Sequence, residues 1–483
     1  MKFTKQQKDF IDKYAVEVMN GDAAIFAGAG LSAGLGFVNW RELLRDLAEE
    51  IDLDIDKEYD LISLAQYHLN KKSRGKINNK IKNEFTTLKE GSKNHKLLAR
   101  IGIATFWTTN YDKLIENSLV AEKKTVEVKI RNADFASNIK KKDAIVYKMH
   151  GDKDSPDEAV LTKDDYETYA ENRPFFATAL RGDLLSKTFL FIGFSFDDPN
   201  LEYILSRIKI LLNKNTPTHY CFFKKVHESD FKGNVEEQKE AFLYAKIKQE
   251  LKIEDLVRYG IHAITVEDYP DIENILLEVE RRIKLKNVFI SGAAHTYEPY
   301  NQDNAIILIH KLSYELAKAG YKIISGFGLG IGSIVINGAL DYKLNSNYRN
   351  LDDLLILRPF PQVKSGISEI NKVWTGYRHE MIDRAGVALF FFGNKLKDDS
   401  VALSSGILEE FEICLQHNVI PIPVGCTGSM AKELWTRVAG NPDDYLPDDK
   451  ELLDLFNKIG DEILDNDALI SIVMKILERI RKI

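Results

Sequence analysis

Twice in this chain a short apolar run breaks directly into glycine. Ala23-Ala24-Ile25-Phe26-Ala27 leads into Gly28-Ala29-Gly30-Leu31-Ser32, and Asn287-Val288-Phe289-Ile290 leads into Ser291-Gly292-Ala293-Ala294. A strand that ends on residues without side chains lets backbone approach a ligand, and open α/β sheets bind ligands at the carboxyl ends of their strands. Downstream of each junction, runs rich in Ile, Val and Phe alternate with longer amphipathic stretches, the pattern of helices packed on a mostly parallel sheet. The expected fold class is α/β, with two parallel-sheet domains in tandem. At about 150 residues per domain, a chain of 483 residues has room for more than one core. Between the two starts, a helix expected over 269–286 carries Ile272, Ile275, Leu276, Val279 and Ile283 on one face and ends in a basic run. The boundary is expected near 284, giving domains 1–284 and 285–483.

Further strands are expected at 105–109, 144–148, 188–193 and 262–266, then at 322–325, 354–357, 387–392 and 419–424, before a last helix from about 467. Lys plus Arg number 66 against 73 Asp plus Glu, a net charge of −7 that makes nucleic acid a poor partner. Cys221, Cys414 and Cys426 are too few and too scattered for a disulfide framework or a four-thiolate zinc site, which points to a reducing compartment and no metal. The longest apolar runs are strand-sized and the N-terminus is charged and amphipathic, so neither a membrane span nor a secretory signal is expected, and the location expected is cytoplasmic. The run Lys71-Lys72-Ser73-Arg74-Gly75-Lys76 fits a solvated loop.

The residues suited to chemistry stand where apolar runs end. After Ala27 come Gly28, Ala29, Gly30 and Ser32; after Thr108 come Asn110 and Asp112; after Lys148 come His150 and Gly151; after Ile192 come Gly193 and Ser195. Four strand ends would then meet in one cleft. Each piece also has a plain reading: a tight turn for the glycines, strand-end caps for Asn110 and Asp112, a hydrogen-bonded turn histidine for His150.

In this order the pieces resemble the sirtuin family, whose signatures are a Gly-Ala-Gly-x-Ser turn, a Thr-x-Asn-x-Asp segment, a His-Gly pair and a late Gly-x-Ser turn. Here they stand at 28–32, 108–112, 150–151 and 193–195. The resemblance implies a Rossmann-like fold that binds NAD+ through Gly28, Ala29, Gly30, Ser32, Asp112, Gly193 and Ser195. It also implies that Asn110 and His150 are the catalytic pair, His150 being the general base. The chemistry fits, because the nicotinamide–ribose bond already has a cationic leaving group; the site must hold the ribose, stabilise an oxocarbenium-like carbon and steer a nucleophile. Two departures narrow the reaction. The chain has no Cys-x-x-Cys, which the zinc module of sirtuin deacylases requires, and it reads Gly36-Phe37-Val38-Asn39-Trp40-Arg41 where they have Gly-Ile-Pro-Asp-Phe-Arg. Without an acyl-lysine groove water is the simplest acceptor, and the expected reaction is hydrolysis of NAD+ to nicotinamide and ADP-ribose.

In the second domain Gly326, Gly328, Gly330 and Gly332 alternate after a strand. Within regular structure each would cost about 0.5–1 kcal/mol against alanine, so a backbone cradle for phosphate is the expectation. Arg378 at the start of an expected helix offers a bidentate fork, Lys395 a point charge and Glu410 an acceptor for ribose hydroxyls; with Ser291 and Gly292 they complete the expected nucleotide site. This segment resembles the SLOG group of nucleotide-sensing domains, relatives of the Lonely-guy phosphoribohydrolases. Of the latter's Pro-Gly-Gly-x-Gly-Thr-x-x-Glu motif it keeps Gly406 and Glu410 and loses the rest, which favours binding over catalysis. Joined over the whole chain, the two halves resemble the effectors of Thoeris anti-phage defence. That resemblance implies an NAD+ hydrolase held inactive until its C-terminal domain binds a cyclic ADP-ribose isomer made by a TIR-domain partner, in a homo-oligomer, typically a tetramer built through the sirtuin-like domains. Three other readings stay open on the residues alone: a protein deacylase or ADP-ribosyltransferase at the same NAD+ site, a non-catalytic nucleotide-binding regulator, and a Lonely-guy-type hydrolase.

Overall fold

A computed structural model describes residues 3–86, 89–194, 196, 199–212, 217–346, 351–360, 370–460 and 464–483. The chain divides into two compact units, Met1–Glu280 and Arg281–Ile483. In the first, the strands are β1 (Ala23–Ala27), β2 (Thr105–Thr108), β3 (Val126–Lys129), β4 (Ala144–Lys148), β5 (Thr188–Ile192), β6 (His219–Lys224) and β7 (Ile261–Val266). They form one parallel sheet in the order β3-β4-β2-β1-β5-β6-β7. Every residue of β1 and β2 is buried, as befits central parallel strands covered on both faces. Phe26 stacks on Phe191 with centroids 5.3 Å apart, and Trp107 on Tyr147 at 4.2 Å, so much of this core is aromatic.

Two described strands of the first unit, β3 and β6, lie where none is expected from the sequence. In β3 the alternation turns Glu127 and Lys129 inward, where they pair at 2.6 Å, so its polar residues occupy the face usually read as apolar. In β6 the polar His219 opens the strand and is buried. Its Nδ1 accepts from Phe189 N at 3.2 Å, which favours a neutral ring. Burial, with His262 adding to it, pulls the His219 imidazole down to about 4; burial also takes His95 to about 4, against an opposing pull from Asp112. The unfolded chain protonates these rings near pH 6.5 and the folded chain only near pH 4. Their contribution to stability is therefore complete above pH 6.5 and is lost as pH falls towards 4, by up to about 3 kcal/mol each. Thermal melts at pH 7 and pH 4.5 should show this fall, and His219→Gln, which keeps an acceptor, should shrink it; an equal fall in the variant would contradict the assignment.

The second unit contains β8 (Asn287–Ala293), β9 (Lys322–Ser325), β10 (Leu355–Leu357), β11 (Val387–Phe392), β12 (Asn394–Lys397), β13 (Ser400–Leu403) and β14 (Ile420–Pro423). Five of them form a parallel sheet in the order β10-β9-β8-β11-β14, and β12 with β13 forms an antiparallel hairpin. The interior β11, Val-Ala-Leu-Phe-Phe-Phe, is buried throughout. The last helix, Asn466–Lys482, buries Val473, Ile476, Leu477 and Ile480 in the same core. The two sheets make the chain α/β with two parallel-sheet units in sequence. No described helix is long and apolar enough to cross a membrane.

Candidate functional site

In the first unit β4, β2, β1 and β5 are consecutive and parallel, so the loops leaving their carboxyl ends lie side by side. Those loops carry His150, Asn110, Gly28 and Gly193. Asn110 is fixed from both ends: its N–H donates to Thr108 Oγ1 at 2.9 Å, and its Nδ2 donates to Gly28 O at 3.1 Å and to Ser32 Oγ at 3.4 Å. Ser32 Oγ in turn donates to Asp112 Oδ2 at 2.9 Å, while Asp112 Oδ1 accepts from Leu114 N at 2.9 Å. Asn110, Asp112, Ser32 and His150 are all buried. The His150 ring stands edge-on to Tyr166 and Tyr169, with centroids at 5.5 and 6.4 Å, and Val160 N donates to His150 O at 3.0 Å.

The glycines of this cleft are required by contact between two backbones. Gly28 N donates to Ile192 O at 2.9 Å and Gly30 N to Gly193 O at 2.8 Å. A Cβ on Gly28 would lie 2.4 Å from Gly193 O, and one on Gly193, whose φ is +63°, would lie 2.1 Å from Leu31 N. The glycines thus bring the β1 and β5 ends together, and the helix after them is a single turn, Gly30–Ala33. The N–H groups of Gly28 and Gly30 are engaged with β5 rather than turned to a phosphate, so these two residues shape the cleft by their bareness. Gly193→Ala should lower the melting midpoint, the strained φ alone costing about 1–3 kcal/mol; a wild-type midpoint in the purified variant would refute this packing. Ser195 lies outside the described residues.

In the second unit β9, β8 and β11 are adjacent, and their ends carry the glycine loop, Ser291-Gly292 and Lys395's hairpin. Ser291 Oγ donates to Glu410 Oε2 at 2.6 Å, and Arg378 Nε donates to Glu410 Oε1 at 3.4 Å. Arg378 also pairs with Glu409 at 2.9 Å and lies over the Phe360 ring at 5.0 Å. Burial pushes the Glu410 carboxyl up, with the Ser291 and Arg378 hydrogen bonds opposing. One Glu410 oxygen thus meets Ser291 and the other meets Arg378, which Glu410 helps to orient. Arg378 stands near the end of the helix Ile370–Ile382 and not at its start. A single interior glycine, Gly376, costs only about 1 kcal/mol and does not break that helix.

Lys395 is exposed on β12 and donates to Ser405 Oγ at 3.0 Å. In the glycine loop a Cβ on Gly328 would lie 2.0 Å from Gly292 O, and one on Gly330 (φ +77°) would lie 2.2 Å from Ala294 O. Here too the glycines let two strand-end loops touch, joined by Ala294 N donating to Leu329 O at 2.9 Å. Asn394 escapes the sequence reading. Buried, it accepts from His295 N and Thr296 N at 2.8 and 3.0 Å and donates to Thr296 O and Ser429 Oγ at 2.8 and 2.9 Å, pinning the loop after β8. Its signal is an amide just past an all-apolar strand, where a buried polar group must be satisfied. Among the described residues no group of three His, Cys, Asp or Glu side chains is placed to hold a metal ion.

A parallel sheet whose adjacent ends carry a glycine turn, an Asn-x-Asp segment and a His-Gly pair, in a chain that continues into a second such sheet with an Arg–Glu pair, defines a class: a sirtuin-like domain joined to a SLOG-type domain. Residues 104–246 match the SIR2-like domain, and residues 271–480 match the Sir2- and TIR-associating SLOG family. The NAD(+) hydrolase ThsA of Cytobacillus dafuensis is 47% identical over 478 residues, covering 98% of this chain and 97% of that protein. The NAD(+) hydrolase ThsA of Bacillus cereus (strain MSX-D12) is 46% identical over 473 residues, covering 97% of each. Defense-associated sirtuin 2 of Bacillus subtilis is 26% identical over 217 residues, 44% of this chain and 21% of that protein. The chain belongs to the ThsA family of NAD(+) hydrolases.

Proposed function

We propose that this NAD+ hydrolase cleaves the nicotinamide–ribose bond in the cleft of the first unit, with Asn110 and His150 as its catalytic pair, and that a cyclic ADP-ribose isomer bound to the second unit switches it on. The observation that carries the first half is the chain of bonds from Gly28 O through Asn110 and Ser32 to Asp112, set at adjacent strand ends beside the His150 loop. The turn of Gly28, Ala29 and Gly30, held close against Gly193, forms the wall along which the pyrophosphate lies, and Ser32 and Asp112 face the ribose and carboxamide side. The bond from ribose C1′ to the pyridinium nitrogen breaks with its electron pair going to neutral nicotinamide. Water, oriented by the Asn110 amide, adds to the oxocarbenium-like C1′, and His150 takes the proton that water gives up and passes it to solvent. The products are nicotinamide, ADP-ribose and one proton.

Regulation rests on the second unit. Arg378 supplies a fork for a phosphate, held ready by Glu409 and Glu410, and Lys395 adds a point charge. Ser291, Gly292 and the loop from Gly326 to Gly332 line the ligand's other side. A TIR-domain protein supplies the isomer in an anti-phage response, and the chain works in the cytoplasm as a homo-oligomer, a tetramer built through its first units. Restraint is needed because an open NAD+ hydrolase drains its own cell; moving a two-state equilibrium from 1:99 to 99:1 takes about 5.5 kcal/mol of differential binding. To identify the acceptor, products from NAD+ are resolved with and without an acetyl-lysine peptide. Equal nicotinamide and ADP-ribose regardless of peptide is the expected result, and peptide-dependent nicotinamide release would replace hydrolysis with deacylation.

A further inference from the structure

Lys148 closes β4, two residues before His150, and is fully buried. Alternation along the strand turns Ala144, Val146 and Lys148 inward, so the ammonium cannot reach water and needs a counter-charge. It meets Asp152 Oδ2 at 2.5 Å and Glu116 Oε1 at 3.1 Å. It also donates to Tyr111 O at 3.2 Å and to Asp112 O, carbonyls of the segment that carries Asn110. Asp152 is equally buried; its Oδ1 accepts from Asp154 N at 2.9 Å and lies 3.7 Å from Lys113 Nζ. Burial pulls the Lys148 amine down, but Glu116 and Asp152 outweigh it and keep the amine charged. Burial pushes the Glu116 carboxyl up, and Lys148 offsets this in part; Asp152, at 2.5 Å, is the nearer of the two carboxyl groups.

A buried ion pair is a poor source of net stability, since apolar residues of similar volume often do as well. What it supplies is direction. Its bonds tie the 111–112 backbone, on the β2 side, to the 148–152 segment on either side of His150. We propose that the Lys148–Asp152 pair is a positioning element of the hydrolase, fixing Asn110 and Asp112 relative to His150. The proposal rests on the assignment of Asn110 and His150 as the catalytic pair, and both members of the buried pair act through those residues.

The test compares the full-length wild-type chain with Lys148→Met, Asp152→Asn and His150→Ala, under one condition in which the wild type releases nicotinamide from NAD+. A misplacement of about 1 Å costs on the order of 100-fold, so kcat should fall about 100-fold in Lys148→Met and about tenfold in Asp152→Asn. KM for NAD+ should rise by less than kcat falls, and inhibition by ADP-ribose should stay near wild type, because the variants leave the turn from Gly28 to Gly30 and Gly193, the proposed pyrophosphate side of the cleft, in place. A purely structural pair would lower the melting temperature and leave kcat of the folded protein unchanged, which overturns the proposal. Should Lys148→Met prove insoluble, Asp152→Asn carries the test, since it keeps the shape and one acceptor oxygen; wild-type kcat in it is again fatal to the idea. If His150→Ala itself keeps wild-type kcat, the catalytic assignment fails. If His150→Ala is inactive while both pair variants turn over normally, only the positioning role fails.

Discussion

His150→Ala should reduce nicotinamide release from NAD+ by at least about 100-fold, within the range that a positioned general base contributes. The variant should fold, because the anchors of its loop are backbone groups: His150 O still accepts from Val160 N, and the positive φ that the turn needs belongs to Gly151. Tyr166 and Tyr169 lose a ring between them, a packing loss that lowers the melting temperature without unfolding the unit. Initial rates at saturating NAD+, with the melting midpoint recorded alongside, separate the two effects. Release within a fewfold of wild type from the folded variant would remove His150 from the mechanism.

Arg378→Ala should raise the half-activating concentration of a cyclic ADP-ribose isomer by about 10- to 100-fold or more, since a hydrogen bond to a charged group contributes about 1.5–3 kcal/mol. Maximal turnover, once reached, should match wild type, as nothing in the NAD+ cleft of the first unit changes. The loss leaves Glu409 and Glu410 without their cation. Burial already pushes Glu410 up, so it can take a proton in place of the pairing. Arg378→Lys, which keeps the charge and loses the fork, should fall between wild type and Arg378→Ala. Calorimetric titration of the isomer reads the same loss without turnover, and unchanged affinity in Arg378→Ala would move the signal site elsewhere.

Both sheets are legible in the sequence where parallel strands are buried on both faces, because such strands read as unbroken apolar runs; β1, β5 and β11 are of this kind. The strands that escape carry charge or polarity inward, as Glu127 and Lys129 do in β3. The hairpin of β12 and β13 escapes for a different reason. Its turn uses Asp398 and Asp399 at φ +49° and +58°, conformations that local sequence signals best when a glycine is present. The cleft residues are legible as types at strand ends, since Asn110, His150 and Gly193 each follow an apolar run. The partners that hold them are not, because Ser32 meets Asp112 and Lys148 meets Asp152 only after the chain has folded, with one exception. Lys148 sits at an inward position of β4 by simple alternation, and a lysine there demands a buried carboxylate. The partners of Glu410 are hidden for a related reason: only the packed helices bring its oxygens to Ser291 and Arg378.

The most direct test of signal-gated NAD+ hydrolysis mixes the full-length protein with NAD+ and follows nicotinamide release, alone and with each of a panel of cyclic ADP-ribose isomers, against His150→Ala. Little release is expected without ligand, strong release with one isomer, and release at least about 100-fold lower in the variant under every condition. Release that is equally fast with and without every isomer, or that stays within a fewfold of wild type in His150→Ala, would contradict signal-gated hydrolysis at this site.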